Sequence, residues 1–290
     1  MVSSADPRLT DAMSTDTVLV LGATGKTGRR VAARLRLAGV PVRAASRSSQ
    51  TRFDWGAPDT WGAALRGVAA AYLIAPEAPG VARDVVAAAE SAGVRRLVLL
   101  SGRGADTWGD SPFGRDMRSA EDAVRGSAAE WTILRASNFD QNFDEDLFRA
   151  PLLTGDLALP VGDVPEPFVD ADDVADVAAA ALTHPGAHAG KTYELTGPRG
   201  VTFGEAVDLI SRASGSPVTF KQISAAEYVA AAAENGLSEP AAWSVADMFE
   251  LTADGRLAET TDDVATVLGR PPRTFEDYVL RAATAGAWDR

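Results

Sequence analysis

The apolar positions of this chain fall into short runs separated by longer, alanine-rich segments. The runs predict buried strands, and the segments place apolar residues every three or four positions, as on one face of a helix. This alternation is typical of βαβ units and predicts an α/β fold, a doubly wound parallel sheet of the Rossmann type. The predicted strands are 17–21, 42–46, 51–54, 70–74, 96–101 and 131–135, and the predicted helices are 26–38, 59–65, 81–92 and 115–125.

The pattern changes after residue 150, where prolines stand at positions 151, 160, 165 and 167. Beyond them the sequence predicts a helix at 171–182, a strand at 191–195 and mainly helical structure to the end. We therefore expect a flexible N-terminal tail at 1–16, a Rossmann-type domain at 17–150, and a small, mainly helical cap at 151–290 that also returns elements to the sheet.

The composition of the chain excludes some partners and some kinds of catalytic chemistry. The chain has 28 Lys and Arg against 40 Asp and Glu, a net charge of −12, so phosphate backbones and anionic lipids are repelled and neither nucleic acid nor membrane is an expected partner. It has no cysteine and two histidines, which excludes thiolate chemistry and disfavours any metal site. No apolar run suits a signal peptide or a spanning helix, so we expect a cytoplasmic protein.

A glycine-rich loop joins the first predicted strand to the first helix. It reads Gly-Ala-Thr-Gly-Lys-Thr-Gly over residues 22–28. In such a loop, backbone N–H groups and the helix N-terminus face a pyrophosphate. Its glycine spacing differs from the Gly-x-Gly-x-x-Gly of common dehydrogenases, and the P-loop spacing is absent. The expected cofactor-binding residues here are Gly22, Thr24, Gly25, Lys26, Thr27 and Gly28.

The residues after the second strand indicate which dinucleotide is bound. Ser46 and Arg47 stand where an acidic side chain would bind the adenosine ribose of NAD. A cation and hydroxyl groups suit a 2′-phosphate, so the sequence predicts NADP(H) in preference to NAD(H), with Lys26 as a second cation. The alternative is that Arg47 is a solvated surface residue.

Several segments resemble the NmrA-like, atypical branch of the short-chain dehydrogenase/reductase superfamily. They are 18–28, Phe-Asp-Trp at 53–55, Tyr-Leu-Ile-Ala-Pro at 72–76, 97–102, Trp-Thr-Ile-Leu-Arg at 131–135 with Asn138, Phe139 and Asn142, and 168–175. Together they cover most of residues 17–200. Within that branch, 53–55 and 72–76 are most similar to the group that contains fungal ergot-alkaloid reductases and their bacterial relatives.

The resemblance implies further cofactor contacts. It places Asp54 and Trp55 beside the adenine, three residues along the adenosine ribose, Ser101 near the nicotinamide ribose, and the backbone at 136–138 against the carboxamide. The ribose residues are Ile74, Ala75 and Pro76, and the carboxamide residues include Ala136 and Asn138. Trp55, Pro76 and Ser101 also have structural interpretations, as core, strand terminator and loop cap.

One departure from the superfamily concerns catalysis. The superfamily's proton donor is the tyrosine of Tyr-x-x-x-Lys, but this chain has Phe113 and Met117 at those positions. Neither side chain donates a proton. Either the enzyme needs no such acid, or the protein is not a reductase, and the sequence therefore names no catalytic residue.

The segment after residue 137 is expected to begin the substrate pocket. The predicted substrate-facing residues are Phe113, Met117, Phe139, Asp140, Gln141 and Asn142. As an alternative, Asp140 caps the following helix and Phe139 packs in the core.

These features favour an NADPH-dependent reductase of a small organic substrate, with hydride transfer to an imine or iminium. Hydride addition to an iminium gives a neutral amine and needs no acid, and Asp140 would attract the cation. Two alternatives stay open: a carbonyl or enone reductase that lacks the usual Tyr and Lys, and a non-catalytic NADP-sensing regulator. The expected partner is the small-molecule substrate, and a homodimer is left open.

Overall fold

The computed structural model describes residues 16–76, 80–109, 111–234 and 236–289. Within them the strands are β1 (Val18–Leu21), β2 (Val42–Ser46), β3 (Thr51–Arg52), β4 (Ala70–Ile74), β5 (Arg96–Gly102), β6 (Glu130–Ala136), β7 (Asp156–Leu159), β8 (Lys191–Leu195) and β9 (Thr219–Gln222). Seven of them form one parallel sheet in the order β3-β2-β1-β4-β5-β6-β8. The predicted doubly wound parallel sheet is confirmed, and the predicted tail lies outside the described residues except for Asp16.

The α-helices of the described residues are α1 (Lys26–Leu37), α2 (Trp61–Leu65), α3 (Val81–Ser91), α4 (Pro112–Arg125), α5 (Arg149–Thr154), α6 (Ala171–Thr183), α7 (Phe203–Ser214), α8 (Ala225–Glu234), α9 (Glu239–Thr252), α10 (Asp263–Leu268) and α11 (Phe275–Thr284). Helix α4 begins three residues before its predicted start. Pro112 occupies its first turn, and Ser111 Oγ accepts a hydrogen bond from the Gly114 N–H, which caps the helix.

The core lies on both faces of the sheet. Successive strand residues point to opposite faces, so Val18 and Val20 pack toward α1 and α6, whereas Leu19 and Leu21 pack toward α2, α3 and α4. Strands buried on both faces have near-continuous apolar runs, and this explains why those runs were visible in the sequence. No helix among the described residues is long and apolar enough to span a bilayer.

A third apolar cluster builds the cap around phenylalanine rings. Phe143 packs against Phe148 and Phe168, with ring centroids 5.0 and 5.3 Å apart. The cap also contains a two-stranded parallel sheet of β7 and β9, which the sequence did not predict. Its cluster starts at Phe143, before residue 150, and β8 returns to the main sheet. The division at residue 150 stays a prediction.

Candidate active site

A cavity of about 670 Å³ lies at the carboxyl ends of β4, β5 and β6. Ligands of doubly wound sheets bind outside these strand ends, close to where the strand order changes direction. Here β1 is paired with both β2 and β4, which makes it the point of change. The strands, the start of α1, helix α4 and the cap helix α9 all supply walls, through residues that include Ile74, Ser101, Ala136, Lys26, Met117 and Met248.

The glycine loop has the geometry of a phosphate-binding turn. Gly22 has a φ of +61°, and its carbonyl accepts a hydrogen bond from the Gly25 N–H at 2.8 Å. A Cβ atom on Gly28 would lie 2.2 Å from the Gly22 carbonyl oxygen, so the loop and helix α1 approach too closely for a side chain. No side chain caps the start of α1, and its first turn holds no acidic residue. These residues fit the pyrophosphate of a dinucleotide.

Lys26 is directed away from the end of β2. Its ammonium group donates to Asn142 Oδ1 and to Asp146 Oδ2, the latter at 3.1 Å, and lies 5.5 Å from the ring centroid of Phe139. Asn142 and Asp146 follow β6, which lies on the opposite side of β1 from β2. The role of Lys26 as a second cation for a 2′-phosphate stays a prediction, and in this structure its ammonium group lies on the other side of β1 from Arg47. The ammonium group also covers the face of Phe139.

The residues predicted for the adenosine lie beside β2 and β3, outside the walls of the main cavity. Arg47 is exposed and forms no hydrogen bond or ion pair with any residue the structure describes, while Ser46 is buried and its hydroxyl lies 2.6 Å from the Ser49 hydroxyl. Asp54 Oδ1 accepts a hydrogen bond from the Gly56 N–H at 3.0 Å. Trp55 is half-buried against Phe53. Their binding roles stay predictions.

The residues predicted for the two riboses and the carboxamide come together only in part. Ile74, Ala75, Ser101, Ala136 and Asn138 line the cavity, as do Lys26 and Thr27. Pro76 is buried and does not line it, and neither do Gly22, Thr24, Gly25 and Gly28.

The Ser101 hydroxyl donates to Glu121 Oε1 at 2.8 Å. Glu121 is fully buried and also receives two hydrogen bonds from Arg135, from Nε to Oε1 at 2.9 Å and from Nη2 to Oε2 at 2.8 Å. Burial alone would raise the pKa of Glu121, but the hydrogen bonds from Arg135 and Ser101 outweigh it, so the pKa lies below its usual value. This buried network fixes the carboxyl ends of β5 and β6 relative to α4.

Phe113 and Met117 both line the cavity from helix α4, because residues four apart lie on one face of a helix. The Phe113 ring lies 4.9 Å from the ring of Trp108. The Met117 sulfur accepts a hydrogen bond from the Gly102 N–H at 3.1 Å. The positions that correspond to the superfamily's Tyr and Lys therefore reach the cavity with apolar side chains.

Asp140 and Gln141 do not line the cavity, so their predicted contact with substrate is wrong. The short 3-10 helix Asp140–Asn142 turns them inward and leaves Phe139 and Asn142 facing the cavity. Gln141 donates to Asp170 Oδ1 at 2.9 Å.

Asp140 is 1% exposed, and neither of its carboxyl oxygens has a hydrogen-bond partner in the structure. Burial, together with the charges of Asp170 and Asp173, raises its pKa well above the usual value. Nor does its side chain cap a helix, which was the alternative interpretation. Asp140 is therefore part of the interior and cannot attract a cation into the cavity.

Glu166 is a cavity residue that the sequence did not single out. It is 8% exposed, and its Oε1 accepts a weak hydrogen bond from the Asn138 N–H at 3.4 Å. Burial raises the pKa of Glu166 to about 7, although the Asn138 hydrogen bond and the charge of Arg103 act in the opposite direction. The one available signal was a glutamate between two prolines, Pro165 and Pro167, just before an apolar run.

The parallel sheet and the glycine loop between β1 and α1 are those of a Rossmann fold, in which a dinucleotide binds at the carboxyl edge of the sheet. The sequence profile of a family described as NAD(P)H-binding matches residues 22–185, more than half of the chain. The chain belongs to this family and is an NmrA-like, atypical short-chain dehydrogenase/reductase. It is an NAD(P)H-dependent oxidoreductase. The family that the sequence indicated is confirmed.

Individual relatives match along nearly their whole length. The chain is 37% identical to (4-alkanoyl-5-oxo-2,5-dihydrofuran-3-yl)methyl phosphate reductase of Streptomyces griseus, with 93% of this chain and 99% of the relative covered. It is 31% identical to festuclavine dehydrogenase of Aspergillus fumigatus, with 90% and 96% covered. Among solved structures, an NADPH-dependent quinone oxidoreductase of Escherichia coli matches with a TM-score of 0.77 at 27% identity, covering 91% of this chain and 98% of that one.

Proposed function

We propose that this protein is an NADPH-dependent reductase of a small organic molecule whose reducible group is a carbon–nitrogen double bond. The observation that carries the proposal is the apolar pair Phe113 and Met117 in the cavity wall. A ketone becomes an alkoxide when it is reduced and needs an acid, which these two side chains cannot supply. A protonated imine loses its positive charge on reduction, and a lysine beside it would repel it.

One of the relatives supports the same class of substrate. The 31% identical fungal relative carries festuclavine in its name, and we infer that the cavity of this chain accepts a cyclic amine or imine of secondary-metabolite type. The cavity volume of about 670 Å³ is that of a site for a small organic molecule together with part of a cofactor.

The cofactor's phosphates are assigned to two places. The glycine loop and the N-terminus of α1 would hold the pyrophosphate, and Arg47 would bind the 2′-phosphate of NADPH. When bound, the reduced nicotinamide supplies the hydride. Arg47 suits this role because its guanidinium has no partner among the described residues and is free to pair with a phosphate.

Arg47→Ala is expected to weaken NADPH binding and leave NADH binding nearly unchanged. Loss of a charged hydrogen bond to the 2′-phosphate costs about 1.5–3 kcal/mol. Titration calorimetry with both cofactors measures the two affinities. Arg36→Ala, an exposed arginine at the far end of α1, is the matched control and should change neither. Equal binding of NADH and NADPH by the unchanged protein would contradict NADP preference.

A substrate panel tests the reaction class. We expect NADPH oxidation with cyclic imines and no comparable oxidation with simple ketones. A second candidate is reduction of a C=C bond beside a carbonyl group, because the 37% identical relative is named for a dihydrofuran ring that contains such a bond. Oxidation with enones and none with imines would favour this second candidate. Tight NADPH binding without oxidation by imines, enones or ketones would favour a regulator instead.

A further inference from the structure

Two carboxyl groups line the described cavity, and their surroundings differ. Asp146 is 64% exposed, and its Oδ2 lies 3.1 Å from the Lys26 ammonium nitrogen. Glu166 is 8% exposed and forms no ion pair within the described residues. An isolated carboxylate is costly to bury, so the neutral, protonated form of Glu166 is favoured relative to a solvated glutamate.

The cations near Glu166 are already engaged. Arg103 faces it, but Nε of Arg103 donates to Glu194 Oε2 at 3.1 Å and its Nη1 donates to the Leu257 carbonyl oxygen at 2.6 Å. Lys26, the other cation in the cavity wall, is paired with Asp146. Burial therefore dominates, and the pKa of Glu166 rises to about 7. The carboxyl group of Glu166 therefore keeps its proton to a higher pH than a solvated glutamate does.

The backbone fixes Glu166 in the cavity wall beside Asn138. Its N–H and carbonyl groups pair with those of Val201 at 3.0 and 2.9 Å. Its carboxyl group contacts the backbone of Asn138, the residue that the resemblance places against the nicotinamide carboxamide. Met117 and Phe113 line the same cavity. Among the described residues, Glu166 is the one carboxyl group of the cavity wall that is not paired with a cation. A substrate that lies against Met117 and Phe113 shares the cavity with this carboxyl group.

We propose that Glu166 is the proton donor of the reduction and delivers its carboxyl proton to the substrate nitrogen. This inference rests on the proposed function. An imine nitrogen is basic enough to take a proton from a carboxyl group and become the iminium, whereas a ketone oxygen is far too weakly basic, so the preference for a carbon–nitrogen double bond is kept. In the step, the carboxyl O–H bond breaks and an N–H bond forms, while the C=N π bond is replaced by a C–H bond made with the hydride that NADPH supplies. The products are an amine, oxidised cofactor and the Glu166 carboxylate, which regains a proton from solvent.

The test compares Glu166→Gln with the unchanged protein on two substrates. One is a weakly basic N-aryl imine, which stays neutral and needs a proton. The other is an N-alkylated iminium, which is permanently charged and needs none. Because general acids contribute about 100-fold or more, Glu166→Gln should lower kcat/KM for the neutral imine by that factor and leave the iminium nearly unchanged. Equal losses on both substrates would overturn the proposal.

The pH profile follows from the same assignment. For the neutral imine, kcat/KM of the unchanged protein should fall as pH rises through about 7, since the acid is then lost, and the Glu166→Gln profile should lack this step. Glu166→Asp keeps an acid and should retain more activity than Glu166→Gln, and equal activity of the two would contradict the proposal. Asp163→Asn, an exposed acid in the same loop, is the matched control.

The titration of Glu166 can also be measured by NMR without any turnover. In cofactor-free protein labelled with ¹³C-glutamate, the signal missing from Glu166→Gln should titrate near pH 7. A midpoint in the usual glutamate range would overturn the proposal. If the unchanged protein reduces neither the imine nor the iminium, the proposed function itself is wrong, and this outcome differs from a selective defect in the variant.

Discussion

Glu121→Ala is expected to lower the free energy of unfolding by about 3–5 kcal/mol, because it leaves the buried Arg135 without its main partner. Glu121 is 0% exposed, receives both Arg135 hydrogen bonds and the Ser101 hydroxyl, and is also bound by Arg125 at 2.9 Å. Asp106 and Glu194 are the remaining partners of Arg135, and they are more exposed. Urea unfolding at neutral pH measures the difference.

The control lies on the same helix. The side chain of Asp122 is 78% exposed, and its 3.8 Å distance from Arg125 makes a weak ion pair. The free energy of unfolding of Asp122→Ala should therefore lie within about 0.5 kcal/mol of that of the unchanged protein. If Glu121→Ala costs no more than Asp122→Ala, the Glu121 network does not stabilise the fold.

The cost of Glu121→Ala should also depend on pH. The folded-state pKa of Glu121 is lowered by its hydrogen bonds from its usual value of 4.5. A lowered carboxyl pKa stabilises the fold above the unfolded-state pKa, and this contribution is lost as pH falls through the folded-state pKa. The difference between Glu121→Ala and the unchanged protein should therefore be largest near neutral pH and shrink below 4.5.

Gly28→Ala is expected to lower the free energy of unfolding by about 3 kcal/mol, the upper end of the usual cost of adding atoms to a tightly packed position. It is also expected to abolish detectable cofactor binding. The new Cβ would lie 2.2 Å from the Gly22 carbonyl oxygen and 2.9 Å from the Leu21 carbonyl oxygen. Both are backbone atoms, so strand β1 and helix α1 would have to move apart. That movement opens the turn that we assign to the pyrophosphate. Urea unfolding and NADPH calorimetry measure the two effects.

Gly62→Ala is the matched control, because Gly62 is also helical and an alanine Cβ there would meet no neighbouring atom within 4 Å. Alanine at this position should stabilise the protein by about 0.5–1 kcal/mol through helix propensity alone. If Gly28→Ala changes stability and NADPH binding no more than Gly62→Ala does, the glycine loop does not need the close contact between helix α1 and the Gly22 carbonyl group.

Most of the sheet could be predicted because its strands are buried on both faces. Strands β2, β4 and β8 match their predictions, β1 and β5 differ from theirs by one residue at one end, β6 is longer by one residue at each end, and β3 is two residues shorter. β7 and β9 were missed because each has only four residues, too few for an alternation to stand out, and because β9 is largely exposed. The start of α4 was missed because Ser111 and Pro112 set it through capping, which the apolar periodicity does not show.

The candidate site could be predicted where the local sequence decides which way a side chain or backbone group faces. The glycine loop follows a strand and opens a helix, and Phe113 and Met117 share a helix face, so their placement follows from spacing. Asp140 and Gln141 were wrongly placed because one 3-10 turn decides which side chains face inward. Glu166 was missed because its position depends on pairing with Val201, far along the chain.

Hydride transfer from the cofactor to the imine carbon is tested most directly by a single-turnover reaction of a cyclic imine with NADPH that carries deuterium at both C4 positions of the nicotinamide. We predict an amine product that carries one deuterium at the former imine carbon, seen by mass spectrometry, together with stoichiometric oxidised cofactor. An unlabelled amine, or bound NADPH that stays reduced with every imine offered, would contradict the claim.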